Sequence, residues 1–174
     1  MNKEQSVQAV RDEMAKFIGF VGIKLPDDVD QKLAEMRALE DSPLAKTIYD
    51  SMFTNQRLAK ELYRPSCQDT GVLQFFIKCG TGFPLMGELE SILTEAVYIA
   101  TMKTPLRHNS VETFDEYNTG KNIGKGVPSF FWEIVPESDS VEIDVYMAGG
   151  GCTLPGKAMV LMPGAGYEGV VQFV

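Results

Sequence analysis

The stretch RPSCQDTG at residues 64–71 runs directly into VLQFFIK at residues 72–78, and this junction divides the chain. The first segment is polar, contains several turn-forming residues and ends in glycine. The second is a short apolar run with aromatic and branched side chains, which predicts a buried strand. The sequence therefore predicts a loop whose polar residues project from the start of a rigid strand.

Helices are predicted on both sides of this junction. Apolar residues at three- and four-residue steps predict one helix over about residues 5–21. Pro26 followed by two aspartates, and Ser42 followed by a proline, are signals for the starts of two further helices. A fourth helix is predicted over about residues 89–102. Most of the sequence before the junction is therefore expected to be helical.

Strand patterns dominate the second half of the chain. Residues 130–134 and residues 141–147 alternate in polarity, and residues 158–162 and 169–174 also look like strands. Because the last segment ends while still apolar, we expect the sheet or its covering layer to continue beyond this chain. The predicted fold class is α+β, with N-terminal helices followed by a mixed β-sheet region with an intervening helix, in one domain.

The composition argues against several classes of function. The chain has 174 residues and a formal net charge of −8, a field that repels phosphate backbones, so no nucleic-acid partner is expected. It shows neither a membrane-spanning apolar run nor an export signal, so we expect no membrane insertion and a cytoplasmic location. Cys67, Cys79 and Cys152 fit reduced thiols better than a disulfide framework.

The loop at residues 64–71 carries the first candidate site residues. Cys67, Gln68 and Asp69 offer a thiolate, an amide and a carboxylate from one rigid edge, and Asp69 is the best acid–base candidate by location. The pattern equally allows a buried cysteine beside a turn and an aspartate that forms the turn. A thiolate-held iron–sulfur cluster normally needs several cysteines, and the sequence contains no ferredoxin-like run of them. From the residues alone, a cluster at Cys67 is one possibility among others.

Two further segments carry candidate ligand-binding residues. Arg107 lies in a proline-containing loop, and a guanidinium suits bidentate capture of a carboxylate. Its neighbour His108 is the only histidine, which leaves open a proton shuttle or a structural role. Residues 149–151 are three glycines after a predicted strand, where backbone amides either approach a ligand or form a tight turn. Against the negative net charge, an anionic substrate needs such a locally positive site.

Five stretches resemble one family of iron–sulfur hydro-lyases, which comprises the alpha subunits of L(+)-tartrate dehydratase and the N-terminal half of class I fumarases. They extend over nearly the whole chain: RPSCQDTG at 64–71, FPLMGEL at 83–89, TPLRHN at 104–109, NTGKNIGKGVP at 118–128 and EIDVYMAGGGCTLPGKAMVLMP at 142–163. The GGGCTLPG form resembles tartrate dehydratase more than fumarase.

The resemblance implies a 4Fe-4S cluster held by three cysteines, whose open iron acts as a Lewis acid on a small dicarboxylate substrate. By position, Cys67 matches the first cluster cysteine, and Gln68 and Asp69 match the pair beside the substrate. Arg107 matches a ligand of the substrate carboxylate, and Gly150 matches a backbone contact to the substrate. Asp69 would take part in proton transfer.

The resemblance further implies that residues 1–174 are the N-terminal part of a longer catalytic domain. Cys79 and Cys152 do not match the second and third cluster cysteines, so a truncated chain, a split subunit or a remnant that is inactive alone is expected. The expected assembly is an oligomer with a beta-type subunit that dehydrates L(+)-tartrate to oxaloacetate. The alternatives are a fumarate hydratase-type subunit and a non-catalytic assembly module that binds through an unfinished C-terminal sheet edge.

Overall fold

The computed structural model describes residues 2–67, 69–111, 114, 116–153 and 156–174, with the side chains at 152 and 153 excepted. Helices precede a mixed sheet, and one long helix lies between its first two strands, which confirms the predicted α+β class. The elements within these residues are α1 (Lys3–Ile23), α2 (Asp27–Leu39), α3 (Pro43–Leu62), β1 (Val72–Gly80), α4 (Leu89–Lys103), β2 (Ser129–Val135), β3 (Val141–Ala148), α5 (Gly150–Thr153) and α6 (Gly166–Phe173).

Strand β1, the buried strand predicted after the polar loop, is the centre of the sheet. Within the described residues the strand order is β2-β1-β3, with β2 parallel and β3 antiparallel to β1. Val72 at the start of β1 pairs with Ala148 at the end of β3, and Gln74 pairs with Ser129 at the start of β2. The loop before β1, the glycines after β3 and the entry to β2 therefore meet at one end of the sheet.

One face of the sheet is covered by α1 and α4. Alternate residues of β1 point into this core, whereas Phe76 and Lys78 lie on the opposite, exposed face. Burial of each large apolar side chain in such a core stabilises the fold by about 1.5–3 kcal/mol. The core residues with the least exposure include Ile18, Leu73, Phe75, Leu89, Leu93 and Val97.

Helices α2 and α3 form a hairpin that leaves much apolar surface exposed. Arg37 of α2 binds Asp50 of α3 at 2.8 Å, and this hydrogen bond lowers the pKa of the Asp50 carboxyl. Leu44, Ile48 and Met52 lie four residues apart on α3 and are 72 %, 55 % and 40 % exposed. In the described part of the chain, no helix combines the length and apolar character needed to cross a bilayer.

The C-terminal segments differ from the strands that their pattern predicts. Residues 158–162 have no regular secondary structure, and Gly166–Phe173 forms helix α6. The spacing of Tyr167, Val170 and Val171 fits one face of a helix, and over eight residues this period is hard to separate from strand alternation. The predicted C-terminal sheet edge is therefore wrong for the described residues, where β2 and β3 form the edges of the sheet.

A pair of leucines tests this description of the core. Leu73→Ala empties a fully buried position in the central strand and should lower the free energy of unfolding by about 2–5 kcal/mol. Leu39→Ala, at a position that is 83 % exposed, should change it by less than about 0.5 kcal/mol. Urea denaturation followed by circular dichroism measures both, and equal losses would contradict the assignment of the core.

Candidate active site

The loop before β1 is tied by hydrogen bonds to helices α1 and α3. The Ser66 N–H donates to the Gly22 carbonyl of α1 at 2.9 Å, and the Asn55 side chain of α3 donates to the Ser66 carbonyl at 2.6 Å. Helix α3 ends at Tyr63, whose φ of 51° is the left-handed conformation common at helix C-termini. The segment that carries Cys67 therefore leaves the helical layer from a fixed point.

Gly71 is the point at which this loop crosses the end of β3. Its φ is +69°, and an added Cβ would lie 1.9 Å from the carbonyl oxygen of Ala148. Both observations require glycine, because any other residue would be strained and would collide with backbone atoms. The close crossing brings Asp69 beside Gly149 and Gly150.

The Asp69 carboxylate accepts a hydrogen bond at each of its oxygens. Oδ2 accepts from the Gly150 N–H at 2.6 Å, and Oδ1 accepts from the side-chain amide of Asn109. Bonds of this kind to an ionised carboxylate are charge-assisted and stronger than neutral ones. The Asp69 N–H in turn donates to the Cys67 sulfur at 3.4 Å, so that one loop fixes both the thiol and the carboxylate.

Three of the predicted site residues line one cavity of about 530 Å³. Asp69, Arg107 and Gly150 all face it, although they are far apart in sequence. Its remaining lining residues are Gly71, Val72, Asn109 and Ala148. A cavity of this size accommodates a small dicarboxylate.

Arg107 brings a positive charge to this cavity. Its backbone is held on both sides, because its N–H donates to the Thr70 hydroxyl at 2.8 Å and its carbonyl accepts from Asn122 at 2.9 Å. Among residues 2–67, 69–111, 114, 116–153 and 156–174, no carboxylate lies within ion-pair distance of its guanidinium. In the described structure, an anionic ligand would therefore not have to displace an ion-paired carboxylate in order to bind Arg107.

Cys67 faces a second cavity, also of about 530 Å³, on the other side of Asp69. This cavity is largely apolar and lies between the end of α1 and the end of β3. Its apolar lining includes Val21, Leu25, Leu106 and Met147. Asp69 lines both cavities and separates the thiol from the cavity that holds Arg107.

The other sequence candidates have different outcomes. Gln68 lies outside the described residues. His108 is exposed and lines neither of these cavities. Cys79 is fully buried at the far end of β1 from the loop, and burial raises the pKa of its thiol, which favours the neutral form. Cys152 belongs to the short helix α5, and its side chain is not among those described.

Two asparagines that the sequence analysis did not single out belong to the site. Asn109 binds Asp69, and Asn122 is fully buried beneath the segment that carries Arg107. Both stand inside stretches quoted for the family resemblance, which was the available signal. The burial of Asn122 could not be predicted from its local sequence, because it depends on the packing of distant segments.

The described residues do not form a cluster site by themselves. They contain no group of three His, Cys, Asp or Glu side chains that is arranged to hold a metal ion. Cys67 is the one described thiol at the site, and Cys79 lies at the opposite end of a strand of nine residues, about 25 Å long at the usual rise.

The chain is similar over nearly its whole length to known proteins. Residues 11–174 match the fumarate hydratase (Fumerase) family, and the chain belongs to that family. Within it, the chain is 56 % identical over 173 residues to the alpha subunit of L(+)-tartrate dehydratase from Escherichia coli K12, and equally to that of Shigella sonnei. A putative alpha subunit of the same enzyme from Methanocaldococcus jannaschii is 31 % identical over 169 residues.

These alignments cover different shares of the two partners. They include 99 % of this chain and 57 % of the bacterial proteins, and 95 % of this chain and 59 % of the archaeal one. The chain thus spans somewhat more than half the length of the curated relatives that it matches.

Two glycine substitutions test the geometry around Asp69. A Cβ at Gly149 would lie 2.8 Å from the Asp69 carboxyl carbon, so Gly149→Ala should displace the carboxylate and cost about 1–3 kcal/mol of stability. A Cβ at Gly151 meets no atom within 4 Å, so Gly151→Ala should change the stability by less than about 0.5 kcal/mol. Thermal unfolding measures both, and equal losses of stability in the two variants would contradict the close contact between Gly149 and Asp69.

Proposed function

We propose that this chain is the cluster-proximal part of an iron–sulfur hydro-lyase that dehydrates L(+)-tartrate to oxaloacetate together with a beta-type subunit. The observation that carries the proposal is the pairing of a carboxylate, Asp69, with Arg107 across one small cavity, in a chain of the fumarate hydratase family. The 56 % identity to alpha subunits of L(+)-tartrate dehydratase favours tartrate as the substrate.

The chemistry asks for groups of the kind found at this site. Dehydration removes a proton from one carbon of tartrate and hydroxide from the next, and the resulting enol tautomerises to oxaloacetate. A bound cluster would supply a Lewis-acid iron for the departing hydroxide, with Cys67 as one of its ligands. The other ligands would come from elsewhere in the assembly.

The chain's own residues bind and orient the substrate in this proposal. Arg107 captures one substrate carboxylate through paired N–H donors. Each oxygen of the Asp69 carboxylate accepts a single hydrogen bond from the described residues and keeps a further lone pair. Asp69 therefore either takes up a proton from the substrate or accepts a hydrogen bond from a substrate hydroxyl. The Gly150 N–H donates to the Asp69 carboxylate in this structure, so Gly150 helps to hold that carboxylate beside the substrate.

A cytoplasmic oligomer is part of the same proposal. The exposed Cys67 thiol needs reducing surroundings to remain available as a ligand.

A fumarate hydratase-type reaction is the second candidate, favoured by the family description itself. Turnover of the complete enzyme on L(+)-tartrate, fumarate and malate under anaerobic conditions separates the two, and no turnover on any of them would refute the hydro-lyase proposal.

Cys67→Ser tests the assignment of the cluster ligand. In the complete, anaerobically reconstituted enzyme, this variant should lose at least about tenfold in iron affinity and in turnover, because a hydroxyl is a poor substitute for a thiolate. Cys79→Ala, which changes the buried thiol at the other end of β1, should retain iron and turnover. Iron and sulfide analysis with initial rates measures both, and a serine variant that keeps its cluster would contradict the assignment.

Arg107→Gln tests the binding of the substrate carboxylate. Loss of a charge-assisted pair should raise the KM for tartrate by about 10- to 100-fold. Arg64→Gln removes an exposed guanidinium that lines neither cavity, and it should leave the KM within about twofold. Steady-state kinetics measures both, and an equal rise in the two variants would point to general electrostatics in place of a specific contact.

A further inference from the structure

The side chain of Asn122 is fully buried and makes three hydrogen bonds. It donates to the Arg107 carbonyl at 2.9 Å and to the Thr101 hydroxyl at 3.2 Å, and its oxygen accepts from the Asn109 N–H at 2.9 Å. A backbone carbonyl only accepts and a backbone N–H only donates, so these partners fix the orientation of the amide. One buried side chain therefore holds the backbone at both Arg107 and Asn109.

Asn109 continues this network to the Asp69 carboxylate. Its backbone is held by Asn122, and its own amide donates to Asp69 Oδ1, while Gly150 holds Oδ2. An ionised carboxylate offers acceptors only, which sets the direction of the Asn109 amide as well. With one donor on each oxygen, rotation of the Asp69 carboxylate breaks a charge-assisted hydrogen bond.

We infer that Asn109 is a positioning residue that orients the Asp69 carboxylate, and that Asn122 holds Asn109 and Arg107 in a common register. This inference rests on the proposed function in one respect, namely that Asp69 and Arg107 act on the substrate. The two asparagines act through those residues. Because a hydrogen-bonded support keeps a reacting group in its productive geometry, its loss affects turnover more than substrate capture.

The network also joins parts of the chain that are distant in sequence. Asn122 lies in the glycine-bearing segment before β2, Thr101 lies on α4, and Asp69 lies in the loop before β1. The three segments meet at the end of the sheet where the first cavity opens. A change in the Asn122 segment is thus transmitted to both charged residues of the cavity.

Asn109→Leu and Asn109→Ala test the inference in the complete enzyme. Leucine keeps the volume and removes the donor, so both variants should lower kcat by about 10- to 100-fold while KM changes by less than about threefold. Asn122→Ala should lower kcat and also raise KM, because the Arg107 carbonyl loses its donor. Asn2→Ala is the control: this exposed asparagine caps the start of α1 and bonds no residue of the network, and kcat should stay within about twofold.

A readout independent of activity accompanies the kinetics. In NMR spectra of the substrate-free protein, the Gly150 amide signal should move in Asn109→Leu and stay in place in Asn2→Ala, because only the first releases the carboxylate that Gly150 binds. Two results would overturn the positioning role. One is a Gly150 signal that does not move in Asn109→Leu, and the other is a kcat that stays at the wild-type value in Asn109→Leu but falls in Asn109→Ala. If the wild-type enzyme turns over no hydroxy-dicarboxylate, the proposed function fails, and the NMR comparison alone decides the role of Asn109.

Discussion

The contact between two backbones at Gly71 and Ala148 is the constraint on which the site depends. There the loop before β1 crosses the end of β3 so closely that a Cβ at Gly71 would lie 1.9 Å from a carbonyl oxygen. The crossing converts a sheet register into a chemical arrangement, because the pairing of Val72 with Ala148 places Asp69 next to Gly150. The position of the Asp69 carboxylate is thus tied to the register of β1 and β3, although the residue itself lies in a loop.

The electrostatics of the site are local, in contrast to the charge of the whole chain. Most of the charges that make up the net charge of −8 act weakly on the cavity, because solvent ions screen exposed charges that lie more than about 8–10 Å away. Within the cavity, the N–H donors of Gly150 and Asn109 stabilise the ionised Asp69 carboxylate, and no carboxylate of the described residues forms an ion pair with Arg107. An anionic ligand therefore meets a cavity whose one carboxylate and one guanidinium balance, in contrast to the net negative charge of the whole protein.

The sequence predicted the local parts of this structure and missed what depends on long-range packing. The polar loop followed by an apolar run identified β1, and helical spacing identified α1 and α4, since both signals lie within short windows. Helix α6 was missed because eight apolar-rich residues fit either period. The gathering of Asp69, Arg107 and Gly150 was expected only from the family resemblance, because nothing in their spacing brings them together. The role of Asn122 depends on its complete burial, which no pattern around it reveals.

Asp69 lines two cavities of similar size, one that is also lined by Arg107 and another, largely apolar, that is also lined by Cys67. Occupants of the two cavities share a wall. An anion that contacts the Asp69 carboxylate beside Arg107 therefore contacts the same residue whose backbone N–H donates to the Cys67 sulfur.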